Sequence, residues 1–211
     1  MTGRSVSFAF LCEGSSDTGL IAHLETLLMH FGVQEATGMP DTRKGTIPAR
    51  LRQLRAEGTE AGIDMVFIHR DSDDPDRKGR EREIRRGVEE SGFPHPFIPV
   101  IPVQETEAWL LLDEQAIRDV VACPKGKQPL RLPKPNAIEG TRNPKEILQK
   151  ALLAASETSG RRLKKEKNSF KHHRRVLLQR LDPFGAVRNL PSWQCLERDI
   201  RRALAQLENQ S

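Results

Sequence analysis

Tyrosine is absent from the 211 residues, and tryptophan occurs only twice. A chain without tyrosine cannot by itself run chemistry that needs a tyrosine nucleophile. Cysteine is scarce and odd in number: Cys12, Cys123 and Cys195 lie far apart and no C-x-x-C pair occurs. Neither a zinc ribbon nor a thioredoxin-like motif fits that spacing, and buried reduced thiols are expected. Six histidines include the adjacent His172-His173 but no H-x-x-x-H, so histidine-based zinc chemistry has no framework. No G-x-x-x-x-G-K-[ST] is present, which excludes a P-loop. No apolar run approaches the roughly 18 residues of a membrane span. The segment Met1-Thr2-Gly3-Arg4-Ser5 leads straight into a strand pattern without the apolar core of a signal peptide. A cytoplasmic protein with no membrane attachment is expected. Charge, by contrast, is plentiful: 34 basic residues against 29 acidic ones leave +5, which mildly favours a polyanionic partner.

The pattern along the chain is that of an α/β protein. Ser5 to Glu13 reads as a strand with no sustained polar alternation, as when both sheet faces are covered. Gly14-Ser15-Ser16-Asp17 resembles a turn and helix cap, and Leu20, Ile21, Leu24, Leu27, Leu28 and Phe31 follow at helical spacing. Gly38, Pro40, Asp41 and Gly45 mark a turn-rich stretch, and Ile47 to Ala61 a second helix. Asp64 to Arg70 is the next strand, Arg77 to Glu90 a highly charged helix, and Phe97 to Val103 a strand that its prolines make an edge strand or an irregular one. This alternation predicts a mostly parallel sheet flanked by helices. Helices are then expected over Glu105–Leu112, Glu114–Val121, Asn143–Ala155, Lys171–Leu181 and Ser192–Leu207, with a proline- and lysine-rich loop from Pro124 to Pro135. The whole chain, 1–211, reads as one protein: an α/β core over 1–112 and a helical C-terminal extension over 113–211 packed on it.

Two of the strands end abruptly in acid, at Glu13-Gly14 and at Asp71-Ser72-Asp73. In extended backbone Asp71 and Asp73 point to the same side. With Glu13 from a neighbouring strand tip they could surround one hard divalent cation at the carboxyl edge of the sheet. Carboxylates brought that close repel one another unless a cation neutralises them. The competing interpretation is an ordinary acidic turn capping the next helix.

The acid-glycine end of the first strand and the D-x-D of a later one resemble the TOPRIM domain, which topoisomerases, bacterial primases, OLD-type nucleases and a ribosomal-RNA maturation nuclease share. Glu13-Gly14-Ser15-Ser16-Asp17 stands in the role of the first motif and Asp71-Ser72-Asp73 in that of the second. The segment Glu105-Thr106-Glu107-Ala108-Trp109-Leu110-Leu111-Leu112-Asp113 is similar to one in a bacterial family of small standalone TOPRIM-like proteins, the uncharacterised domain family 4276. Asn143-Pro144-Lys145-Glu146-Ile147-Leu148 and Leu190-Pro191-Ser192-Trp193 are similar to that family too. The resemblance implies a TOPRIM-like (Rossmann-like) fold with Glu13, Asp71 and Asp73 holding Mg²⁺ or Mn²⁺, as one ion or two. It implies a further catalytic carboxylate at Glu105 or Glu107. These lie about 200° apart on a helix, and Glu107 is preferred because Trp109 and Leu110 should flank the buried face. The resemblance also implies a nearby ATPase of the AAA or ABC type as partner, in anti-phage defence. Asp17 departs from it, standing where the family has glutamate. For a cation that stabilises the transition state, Arg70, Lys134 and Lys145 are equal candidates.

Arg161 to Arg175 holds eight Lys and Arg against the single acid Glu166. Lys164, Lys165, Lys167, Lys171 and Arg174 are the residues expected to line a phosphate track, with a solvated loop as the competing interpretation. Taken together, these features lead to the expectation of a Mg²⁺-dependent phosphodiesterase acting on nucleic acid, DNA before RNA, by hydrolysis. A non-catalytic binding or regulatory subunit of an ATPase complex is the alternative. A nucleotidyl or glycosyl transferase using D-x-D to hold a diphosphate is a third, weaker reading. Oligomer formation is left open.

Overall fold

A computed structural model describes residues 4–72 and 76–209. Four strands form one parallel sheet: β1 (Ser5–Leu11), β2 (Glu35–Asp41), β3 (Met65–His69) and β4 (Phe97–Val100), in the order β2-β1-β3-β4. Parallel neighbours need crossovers, and helices α1 (Leu20–His30), α2 (Ile47–Ala56) and α3 (Lys78–Ser91) provide them. The period-two alternation within the strands sorts side chains to two faces. Val6, Phe8 and Phe10 of β1, with Met65 and Phe67 of β3, face one layer; Ala9, Leu11, Val66 and Ile68 face the other. The second face is covered by α2 and α3 through Ile47, Leu51, Leu54, Ile84 and Val88.

The first face carries α1 and all the helices that follow β4. These are the short α4 (Glu107–Leu110), then α5 (Glu114–Val120), α6 (Pro144–Ala155), α7 (Gly160–Asn168), α8 (Phe170–Arg180) and α9 (Pro191–Glu208). The apolar stripes of all but α7 join the sheet in one continuous core containing Trp109, Ile117, Leu148, Leu178, Trp193 and Ile200. Trp109 and Trp193 meet edge to face at 4.9 Å, and the Trp109 Nε1 donates to Ser192 Oγ at 3.0 Å. Pro144 and Pro191 occupy first-turn positions, where the missing amide costs nothing. Among the described residues, no helix is long and apolar enough to cross a membrane.

Three sequence expectations are corrected. The turn-rich stretch around Gly38 and Pro40 is the edge strand β2. Its pattern is obscured because its side chains are mostly exposed or half-buried and because Gly38 lies against Phe8 and Ile21. The helix expected to reach Ala61 stops at Ala56, followed by Gly58 at φ 70°, a conformation glycine adopts freely. The basic run, against the competing interpretation of a solvated loop, is helical from Gly160, forming α7 and the first half of α8.

Candidate functional site

The carboxyl ends of β1, β3 and β4 open onto one edge of the sheet. Beyond β3 the chain stays tied to the segment after β4: the Ser72 amide donates to the Pro102 carbonyl at 3.2 Å and the Gln104 amide to Ser72 Oγ at 2.8 Å. That tie brings Thr106 over Asp71. Asp71 Oδ1 accepts from the Thr106 amide at 3.0 Å and from its hydroxyl at 3.2 Å. His69 Nε2 lies 3.0 Å from the same hydroxyl and 3.5 Å from Asp71 Oδ1. Burial lowers the His69 pKa to about 4, so the ring is neutral at pH 7. A hydroxyl that donates to Asp71 must accept from His69, which puts the ring proton on Nε2 and leaves Nδ1 as the unpaired acceptor. Imidazole, hydroxyl and carboxylate thus form a relay that fixes the Asp71 rotamer.

A second group of acids stands behind Asp71. Asp17 ends the single 3₁₀ turn that follows β1, and Glu107 begins α4; both are buried. A guanidinium from α8 joins them. Arg174 Nη2 lies 2.7 Å from Asp17 Oδ1, Nε 2.7 Å from Glu107 Oε1, and Nη1 3.0 Å from the Ser16 carbonyl. Burial works against the Arg174 charge, and the two carboxylates more than offset it. One cation does not neutralise three acids. Burial, followed by the charges of Asp17, Glu107 and Glu13, pushes the Asp71 pKa from 3.8 up to about 7.

Glu13 is the exposed member of the group. Its Oε1 lies 2.9 Å from Nη1 of Arg70, which leaves β3 beside Asp71 and is itself mostly buried. The turn carrying Glu13 is braced from below, where Arg50 Nη1 donates to the Cys12 carbonyl at 3.1 Å. The other arm of Arg50 reaches Asp41 at the end of β2. Burial pushes the Cys12 thiol up to about 11, so it is inert filling rather than a nucleophile.

The structure therefore brings Glu13, Asp71 and Glu107 to one edge. Asp73 lies outside the described residues. Glu105 points away, its Oε2 accepting from the Lys145 amide at 3.1 Å in the first turn of α6. Lys164, Lys165 and Lys167 on α7 and Lys171 on α8 are exposed, as a phosphate track requires. Arg174 does not match its expected surface role: it is 8% exposed, with its guanidinium committed to Asp17 and Glu107. Sequence reasoning missed that pairing and the His69–Thr106 relay. The signals were present. Arg174 shares helical spacing with Leu177 and Leu178, which places it on the apolar face, and His69 ends an otherwise apolar strand.

Among the described residues, no three His, Cys, Asp or Glu side chains stand close enough together to hold a metal ion unaided. Mg²⁺ does not demand three, because it keeps several waters and is commonly bound by one or two carboxylates plus substrate phosphates. The donor set of Asp71 and Glu13, all oxygen and partly open, fits that hard cation.

No curated protein and no solved structure matches the chain. A family model, described as a domain of unknown function (DUF4276), matches residues 12–184, which begin just after β1 and take in the whole acidic cluster and α8, whose Arg174 joins it. The chain belongs to that family.

Proposed function

We propose that this protein is a Mg²⁺-dependent phosphodiesterase of the TOPRIM type acting on nucleic acid. The observation that carries the reading is the convergence of Glu13, Asp71, Asp17 and Glu107 from separate elements on the carboxyl edge of a parallel sheet. So many acids with so few cations favour a divalent ion there. The resemblance of Glu13-Gly14 and Asp71-Ser72-Asp73 to the two TOPRIM motifs adds to this. A cation in this place polarises a phosphodiester and orients water. Asp71 and Glu13, with Asp73, are the residues to hold it. Thr106 and His69 keep Asp71 in position, and Arg174 with Glu107 keeps the loop of Asp17 closed behind it. With no tyrosine to carry a covalent link, water is the nucleophile and the reaction is hydrolysis. Action beside an ATPase in phage defence belongs to the same proposal and rests on the family resemblance alone.

One observation favours the second reading, a non-catalytic regulatory subunit. Arg174 already occupies two of the acids, as a built-in cation does in a site that has given up a metal. Purified wild-type and Asp71→Ala protein, incubated with supercoiled plasmid and single-stranded DNA in Mg²⁺, Mn²⁺ or EDTA, separate the two. Metal-dependent cleavage lost in the variant supports the phosphodiesterase. Nucleic-acid binding without cleavage, unchanged in the variant, supports the subunit.

A further inference from the structure

On the face of the sheet opposite the expected basic track, a groove of about 740 Å³ runs between α2 and α3. Arg70, Arg82 and Arg86 line it, with Glu83 and Glu90 as its acids. The acids are already engaged: Glu90 Oε1 accepts from Arg86 at 2.9 Å, and Glu83 Oε2 from Arg80 at 2.7 Å. Arg82 is exposed and has no ion-pair partner among the described residues. Arg70 Nε is buried without a hydrogen-bond acceptor, Glu83 standing 3.7 Å away, while its Nη1 reaches Glu13 in the acidic cluster. Three arginines against two glutamates leave the groove one positive charge in surplus, that of Arg82, and it ends at a residue that touches the candidate site. Arg82 and Arg86, one turn apart, share a face of α3.

We propose that this groove seats the sugar-phosphate backbone of a nucleic-acid strand, Arg82 and Arg86 holding phosphates and Arg70 positioning the adjoining one at the acidic cluster. The proposal rests on the phosphodiesterase reading and adds the path of the substrate. It also selects Arg70 from the three cations that spacing left equal. Lys145 lies in the first turn of α6, where its amide is bound by Glu105, and among the described residues no ion pair ties Lys134 to the acids. The α7 lysines lie on a helix that packs against α6 and α8, away from the α2–α3 face.

Fluorescence anisotropy in EDTA, with short fluorescein-labelled single-stranded DNA and RNA as probes, tests this. Two double variants remove equal charge from exposed positions: Arg82→Gln with Arg86→Gln, and Lys164→Gln with Lys165→Gln. Thermal melts check that both remain folded. The arginine pair is expected to weaken binding about tenfold or more and to reduce the salt slope by about two. The lysine pair is expected to change affinity less than about threefold, one missing phosphate contact being worth more than that at low salt. Whichever probe binds more tightly identifies the sugar. Wild-type-like binding by the arginine pair, or a larger loss in the lysine pair, overturns the groove but leaves the phosphodiesterase reading standing. Wild type that binds neither probe likewise overturns the groove as a seat for a single strand, while the cleavage assay decides the phosphodiesterase reading.

Discussion

At the scale of the residue, the site is governed by an imbalance of buried charge. Arg174 is the only guanidinium bonded to Asp17 and Glu107 among the described ion pairs. Arg174→Met should leave two buried carboxylates uncompensated and cost about 3–5 kcal/mol, read as a lower urea midpoint. Arg174→Lys keeps the charge but loses the forked contacts, and is expected to fall between the two. Asp71 behaves in the opposite sense. Its folded pKa is raised, from 3.8 to about 7, so the folded state binds the proton more tightly than the unfolded one. Its contribution to stability is whole below pH 3.8 and is lost as pH rises through about 7. Asp71→Asn, which keeps the acceptor for Thr106, should therefore stabilise the protein in EDTA at pH 8, by up to about 4 kcal/mol. That advantage should vanish by pH 4, as melting curves across the range will show. A gain that does not depend on pH would contradict the charge argument. Glu13 and Asp71 were legible because acid at a strand tip is visible in sequence. Arg174 was hidden because a run of eight basic residues does not reveal which one turns inward.

At the scale of the element, legibility followed burial. β1 and β3 are central strands with both faces covered, and their continuous apolar runs announced them. β2 did not announce itself, because an edge strand can carry Gly38 and Pro40 where a central strand cannot. Gly38 is required by a close approach: a Cβ there would meet the Phe8 ring and come within 2.6 Å of Ile21 Cγ2. Gly38→Ala should cost about 1–3 kcal/mol in urea unfolding by forcing α1 away from β2. Helix α7 was missed for a related reason. It has no buried residue, so its sequence holds only charge with little apolar stripe to reveal a period.

At the scale of the whole molecule, the division into a 1–112 core and a 113–211 extension describes the sequence rather than independent folding units. One face of the sheet is buried by α1 together with the helices of the second half, which contribute Leu148, Leu178, Trp193 and Ile200. A fragment ending at residue 112 should be aggregated or molten, with rapid proteolysis and no cooperative melt, whereas the full chain melts cooperatively. The same coverage makes α8 part of the candidate site, since Arg174 bridges the helical half to the turn after β1.

The sequence by itself determined the α/β class, the parallel sheet and the acids at its strand ends, because these follow from short-range regularities: apolar runs, helical spacing and the residues that stop them. Only the tertiary structure decided that Asp17 and Glu107 share a buried counter-ion with residue 174 and that Thr106 and His69 hold Asp71. It also decided that the arginines of α3 line a groove reaching the same edge. Those relations join residues 35 to 158 positions apart along the chain, as between Asp71 and Thr106 or Ser16 and Arg174. No local pattern encodes such pairs. Long-range packing of the helices onto the sheet creates them, together with the loss of solvent that makes each buried charge depend on its neighbours.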